Sequence, residues 1–563
     1  MKVLRVLMKV VWSPKIGLLI AAILLVVYLR ISYSPAIESL TARFKSRAPE
    51  PSITNEGKRV FENPPSNKQP SFGEHSERNK DRPPDDKNAT KSTSEGKKVS
   101  EKLISAFHSP IRCNETVRLD FMGLPDRTVE LNRYPVCDWI TKTERNPEHS
   151  FVVFGGEMAV VRDVTLNPAN LQMGSRGGEN ITSVLKQNEG DEYFTFKPGA
   201  LTIPCRQPPQ FKFVVGIGNY RRHNHFNSWQ ASITCRSEGD NRFTNNSRNL
   251  DARGATLDPR GVVLDDSSDG GRGARGGIVP EKFVPGVTFA VTRYEYANVH
   301  HTLTDLYNTF LAMIMLRVNP RYSTVLLMDG HPWGKFDAPW ATLFGGRNVY
   351  RAAHLPSQTT FEYMVWIPVG YHSPVWLVEL PTISYLPELR YFFYKQYGVT
   401  PKEQAQCPTL NVLLVLRRDY LAHPRNPSAT IQRKIANEAE VMDTLKAAGY
   451  VVQGVQLDLL PVGKQLEHVG QADIMLGMHG AGLTWSILLH DNAGLVEIAP
   501  QYFQKHSLCF KAISRWRGLH HIHWTNLNAT NERANYHTYL PPDIVLRLVN
   551  QVKDKICNKN IVT

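Results

Sequence analysis

The residues best suited to chemistry lie in LGMHGAGLTW, 476–485. An apolar run delivers His479, and Gly480-Ala481-Gly482 then let the backbone turn sharply before Leu483 and Thr484 open a helix. Such a turn leaves several backbone N–H groups without partners beside a positive helix end, as a phosphate or diphosphate requires. His479 and the Thr484 hydroxyl are added donors to an anionic oxygen. The same letters also spell an ordinary strand–helix turn with a core histidine, and they make neither a P-loop nor a full GxGxxG. Arg417 and Arg418 close the preceding apolar run NVLLVLRR, 411–418, and their guanidinium forks suit diphosphate oxygens. Arg433 is expected one or two turns into the helix that follows, near enough to add its charge. Glu497 sits inside GLVEIAP, 494–500, where a carboxylate either accepts two ribose hydroxyls or is a salt-bridged strand residue. In TRYEYANVHHTLTDLYNTF, 292–310, His301 and Asp305 are four apart and share one face of a helix. Asp305 is the candidate base for a sugar hydroxyl, with His301 to orient it or share the work. The paired histidines and HHIHW, 520–524, invite a metal reading, but neither shows a zinc-type ligand spacing. The chain has no Asp-x-Asp, so no metal site is expected.

Positioning these residues calls for a parallel sheet. Strands are expected at 411–418, 450–457, 472–480 and 494–500. Helices are expected at 430–448 and 461–471 and from 482 onward, giving strand–helix–strand alternation with continuous apolar strands. Such units bind ligands outside the carboxyl ends of their strands. The stretch 103–408 reads as a second α/β half. Strands are expected at 151–156, 211–218, 286–294 and 323–330, and a helix between 294 and 316 carries Leu303, Leu306, Phe310 and Met313 on one stripe. The Gly/Asp/Ser-rich stretch within 240–280 is a surface insertion. Two such halves facing a cleft form the simplest architecture.

The 563-residue chain has a net charge of +14. Residues 1–102 hold 19 Lys and Arg against 11 Asp and Glu, which leaves +6 on the other 461. Half or more of the excess therefore sits on a segment without a core, and a nucleic-acid partner is not expected. Lys2, Arg5, Lys9 and Lys15 flank an apolar run that reads as a membrane anchor over 10–31, with 1–9 cytosolic. A cleaved signal peptide is the rival, but no small-x-small site follows Arg30. Residues 32–102, rich in Ser, Pro, Asn, Lys and Glu, read as a disordered stem. Five sequons (Asn88, Asn114, Asn180, Asn245, Asn528) and seven cysteines, all beyond the anchor, fit an oxidising lumen. Seven is odd, so at least one cysteine stays free or pairs between chains.

LGMHGAGLTW followed by GLVEIAP resembles the signature of glycosyltransferase family 61. VTRYEYANVHHTLTDLY (291–307), LLVLRRDYLAHPR (413–425), RKIANEAEV (433–441), NLQMGSRGGEN (170–180) and RWRGLHHIHW (515–524) are similar to stretches of its plant-type N-glycan β-1,2-xylosyltransferase branch. The resemblance implies a GT-B fold with two Rossmann-type lobes, 103–408 on the acceptor side and 409–525 for the nucleotide sugar, then an extension over 526–563. It implies inverting transfer of a sugar, xylose first among the candidates, from a UDP-sugar such as UDP-xylose to an N-glycan or glycoprotein acceptor, without a required cofactor. Asp305 and His301 carry over as the catalytic pair; Arg417, Arg418, Arg433, His479, Gly480, Ala481, Gly482, Leu483, Thr484 and Glu497 carry over as the donor site. The expected setting is the Golgi membrane, type II, with the endoplasmic reticulum second. A protein O-linked GlcNAc transferase of the same family and a silent glycan-binding protein on the same fold are the alternatives.

Overall fold

The computed structural model describes residues 103, 105–146, 150–172, 174–187, 192–207, 233–236, 283–293, 295–346, 348–503 and 508–558, all inside one compact unit, Asp85–Thr563. The tail, the anchor at 10–31, the stem, the insertion at 240–280, the strand expected at 211–218 and sequons Asn88 and Asn245 lie outside these residues. No helix among the described residues is long and apolar enough to cross a membrane.

Two sheets organise the chain. In the first half, β1 (Thr143–Arg145), β2 (Phe151–Phe154), β3 (Met158–Leu166), β4 (Leu201–Pro204), β5 (Ile233–Arg236), β6 (Phe283–Val291), β7 (Thr324–Leu327), β8 (Asn348–Arg351) and β9 (Thr359–Trp366) form a nine-stranded sheet. Its path runs β8-β7-β6-β9-β3-β2-β1, with β4 and β5 attached beside β3. The first four strands are parallel, and β9 meets β3 antiparallel. The second sheet is wholly parallel: β10 (Asn411–Val415), β11 (Val451–Val455), β12 (Ile474–Met478), β13 (Gly494–Ala499) and β14 (His520–Thr525), in the order β11-β10-β12-β13-β14. Chain order reverses between β6 and β9 in one sheet and between β10 and β12 in the other. A ligand crevice is expected at the carboxyl end of each reversal.

Alternation along the strands divides the core. Leu413 and Val415 of β10 join an apolar cluster shared with Phe289 and Val291 of β6, whereas Val412 and Leu414 face a separate cluster behind the second sheet. The shared layer is filled by helix α1 (Val299–Leu316), α2 (Leu386–Gln396) and α4 (Val462–Gln471); α3 is Glu438–Ala447. Sixteen of the eighteen α1 residues are buried, so it is a core helix rather than an amphipathic one. Asn298 caps it, its side chain accepting the His300 N–H at 2.9 Å.

Two expectations are corrected. The helix drawn over 430–448 begins only at Glu438, because Lys434–Ile435 pairs as a short strand with His537–Thr538. The extension at 526–563 is not an appendage. Helix α6 (Pro542–Cys557), which follows α5 (Cys509–Arg517), buries Val545, Leu548, Val549, Val552 and Ile556 behind the second sheet. Gly494 permits this: a Cβ there would lie 2.1 Å from Val552 Cγ1. A disulfide, Cys407–Cys557, ties the end of α6 to the entry of β10. Cys113–Cys137 and Cys205–Cys235 are also bonded, and Cys509 belongs to none of these three disulfides.

Candidate active site

The two crevices meet in adjoining pockets. The larger, about 480 Å³, has Asn298, Trp333, Lys335 and Tyr296 on the first half and Arg417, Tyr420, Arg433, Asp458, Ala481 and Gly482 on the second. The smaller, about 390 Å³, is lined by His300, His301, Trp376, His479, Gly480, Cys509 and Phe510. Asn298, Arg433 and Ala481 belong to both walls, so the pockets communicate at the Gly480–Gly482 turn.

Strand β12 ends at Met478 and delivers His479 to the rim. The helix expected from 482 onward is present as the 3-10 helix Ala481–Leu488. The Leu483 N–H already donates to the Gly480 carbonyl at 3.0 Å, closing the first bond one residue sooner than an α-helix would, and poorer dipole alignment shifts weight to the cations around it. Arg417 packs against Gly480, where a Cβ would sit 2.0 Å from Nη1, and its Nε donates to the Gln432 carbonyl at 3.0 Å. Arg433 holds a left-handed backbone conformation and lays its guanidinium 4.5 Å over the Phe503 ring. Burial lowers the pKa of Arg417; burial and then the Arg417 charge push Arg433 down to about 10. Neither guanidinium forms an ion pair with a carboxylate among the described residues, and two cations brought together in this way have the chemistry to receive an anion.

Arg418 is not part of it. Its side chain is 57% exposed and pairs with Glu438 at 2.5 Å, away from both pockets. Thr484 and Leu483 are fully buried, and the Thr484 hydroxyl lies 3.4 Å from His300 Nδ1, joining the two halves instead of reaching an anion.

Glu497 is 1% exposed on β13, between the middle strand β12 and the edge strand β14. Its Oε1 lies 2.5 Å from His479 Nδ1, and its Oε2 lies 2.9 Å from His521 Nε2 and 3.3 Å from His523 Nδ1. Burial raises its pKa, but the bonds from His479, His521 and His523 outweigh burial and hold it far below the carboxylate range. A permanent carboxylate requires the proton on His479 Nδ1, which turns Nε2 toward the smaller pocket. Glu497 therefore orients His479; both its oxygens are engaged inside the sheet, and the ribose role is withdrawn.

His301 reaches the smaller pocket, packed at 5.2 Å against Trp376. Asp305, one helical turn on, is 1% exposed and lines neither pocket. Of the two expected residues, the structure brings the imidazole to the pocket wall and leaves the carboxylate buried within α1. Burial brings His300 to about 4 with help from the His479 charge, and His301 to about 3 with help from His300.

Residues 299–496 match the family model described as Glycosyltransferase 61. The chain carries a glycosyltransferase 61 domain. The matched span opens on the first residue of α1 and runs into β13, so the domain holds His301, Asp305, Arg417, Arg433 and the 479–482 turn. Across 417 residues the chain is 25% identical to a β-1,2-xylosyltransferase of Arabidopsis thaliana, covering 65% of this chain and 74% of that protein. A β-1,2-xylosyltransferase of Oryza sativa subsp. japonica is 26% identical over 431 residues, 70% and 71% of the two chains. An EGF domain-specific O-linked N-acetylglucosamine transferase of Drosophila melanogaster is 36% identical over 243 residues, 40% and 43% of the two chains.

Sequence reasoning missed part of the larger pocket. Trp333 and Lys335 project from the loop after β7, and Tyr420, His423 and Asp458 line the opposite wall. The carboxyl-end rule for parallel strands pointed to that loop. Nothing in the spacing announced Trp376.

The site's histidines also predict how stability follows pH. Burial, then Arg425 and His331, brings His423 to about 3, beside His300 and His301. These groups are neutral when folded but take up protons near pH 6.5 when unfolded. Their contribution is complete above that pH and is lost as pH falls toward 4 and 3. Each group steepens the loss by up to about 1.4 kcal/mol per pH unit. The melting temperature should fall between pH 7 and 4, and less steeply in His423→Gln; parallel curves would show that these imidazoles are not held neutral.

Proposed function

We propose that this chain is an inverting glycosyltransferase moving xylose from UDP-xylose to the core mannose of an N-glycan with a β-1,2 linkage. The observation that carries the proposal is similarity to two β-1,2-xylosyltransferases over 65–70% of this chain and more than 70% of theirs. In this reading the two sheets are the lobes of a GT-B fold. The acceptor oxygen attacks the anomeric carbon from the side opposite the diphosphate. The new C–O bond forms as the bond to phosphate breaks, and inversion turns an α-donor into a β-product. The acceptor proton passes to His301, which burial keeps neutral and able to receive it. Asp305, behind it, steadies the imidazolium. The leaving diphosphate's charge is met by Arg417, Arg433, His479 and the turn N–H groups, so no metal is required.

The second reading, transfer of N-acetylglucosamine to protein, rests on 36% identity over 243 residues to the EGF domain-specific enzyme. We place the chain in the Golgi membrane, anchored through 10–31 with its body luminal. Glycosidase treatment of the chain from a secretory host should shift its gel mobility; no shift would oppose that orientation.

The deciding experiment incubates the full chain with UDP-xylose or UDP-N-acetylglucosamine, offering an N-glycan or an EGF domain, and reads products by mass. Pentose added to the N-glycan, at equal rates with and without excess EDTA, is expected. Addition of N-acetylhexosamine to the EGF domain would favour the second reading. Loss of transfer on chelation, restored by Mn²⁺, would reveal a required metal. No transfer or UDP release with any pair would favour a silent glycan binder.

A further inference from the structure

The larger pocket holds a cation that the opposite lobe supplies. Lys335 lies in the loop Asp329–Asp337, which is shaped from within. Arg293, fully buried, bonds both oxygens of Asp329 at 3.0 and 2.6 Å and also reaches Asp337. Arg351 holds the other Asp337 oxygen at 2.7 Å and the His331 carbonyl at 2.9 Å. Gly334 fits closely under this arrangement, since a Cβ there would lie 2.8 Å from the Tyr296 carbonyl oxygen. The result is a braced loop that presents Trp333, 48% exposed, and Lys335 to the pocket.

The Lys335 ammonium stands 5.5 Å from the centre of the Tyr420 ring, which belongs to the second lobe. Burial lowers its pKa, with Asp458 opposing from beyond ion-pair distance. Asp458 also opposes the burial of Arg417, and burial raises its own pKa. Lys335 and Arg417 therefore converge on a single carboxylate with which neither forms an ion pair, and Arg433 adds a third charge on the same pocket wall. By contrast, Arg425 and Arg418, neither of which lines the pocket, are paired with Glu192 at 3.2 Å and with Glu438. The cations inside are those lacking a counter-ion among the described residues. A desolvated ammonium in that position gains most from a phosphate oxygen, which it meets as a compact charge with rotatable donors.

We propose that Lys335 is a donor-binding residue, gripping the diphosphate of the nucleotide sugar from the first lobe while Arg417 and Arg433 grip it from the second. The proposal rests on the UDP-sugar reading above. It makes the donor an ionic bridge between the lobes and predicts that affinity depends on Lys335 through the phosphates alone.

The test is calorimetric titration of the full chain, as wild type, Lys335→Gln and Lys335→Arg, with UDP, UMP and uridine. In Lys335→Gln, UDP should bind about tenfold to a hundredfold more weakly, UMP less affected and uridine unchanged. Lys335→Arg should recover much of the loss. A loop that had merely shifted would weaken all three ligands alike, and that result overturns the proposal. Equal UDP affinity in wild type and Lys335→Gln overturns it too, while leaving the UDP-sugar reading in place. If the wild type binds none of the three, both fall. Lys335→Gln changes a half-buried side chain that forms no ion pair among the described residues, and melting curves without ligand should coincide with wild type.

Discussion

Gly480→Ala should melt at the wild-type temperature yet bind UDP roughly tenfold to a hundredfold more weakly. The backbone at Gly480 is extended, with φ of 170°, so alanine is allowed there and the fold has no reason to suffer. What a methyl group meets is the Arg417 guanidinium, 2.0 Å from Nη1 and 2.8 Å from Cζ. That is the far end of a flexible side chain, and it moves before the sheet does. Displacing it removes a charged contact from the diphosphate and narrows the approach to the turn N–H groups. Arg417→Ala should cost a similar factor, and the double variant scarcely more than either, because both changes remove one interaction. Additive losses would mean that the two residues act separately. Unchanged UDP affinity in Gly480→Ala would place the diphosphate elsewhere.

The second sheet was legible because its strands are continuous apolar runs, and a parallel sheet covered on both faces demands them. The runs at 411–418, 472–480 and 494–500 each lie around an observed strand. Errors cluster where a local pattern competed with a distant partner. Ile431 and Ile435 matched a helical face, but Lys434–Ile435 found a strand at His537–Thr538, about a hundred residues on. Thr484 carried the letters of a first-turn anion donor, but His300 from the other half sits against it. Arg418 and Arg417 are indistinguishable as letters. Glu438 at the start of α3 draws one outward, and the missing side chain of Gly480 makes room for the other. Glu497 was marked as unusual inside an apolar strand, but its partners on β12 and β14 depend on strand order, which spacing alone does not specify. The helix expected between 294 and 316 is present from Val299 to Leu316, for a reason only partly visible in the letters: the stripe was there to read, while burial on nearly every side follows from the core it fills.

The other large effect belongs to the acceptor side. His301→Asn should lower kcat by about 10²–10⁴ with UDP affinity scarcely changed, because His301 faces the smaller pocket and the larger one is lined without it. Asp305→Asn keeps size and hydrogen bonding but gives up the charge. With Asp305 buried and lining neither pocket, its replacement should also act on kcat alone. Joined to His301→Asn it should add little, as expected of two groups working as a unit. UDP titration and thermal melting of each variant separate chemistry from misfolding. If His301→Asn turns over normally while Asp305→Asn does not, the carboxylate is the base. Substrate must then open a path to a residue that is now 1% exposed. If both retain normal turnover, the proton leaves by another route. His479, the third imidazole lining that pocket and held through Nδ1 by Glu497, is then the group whose Nε2 is placed to take it.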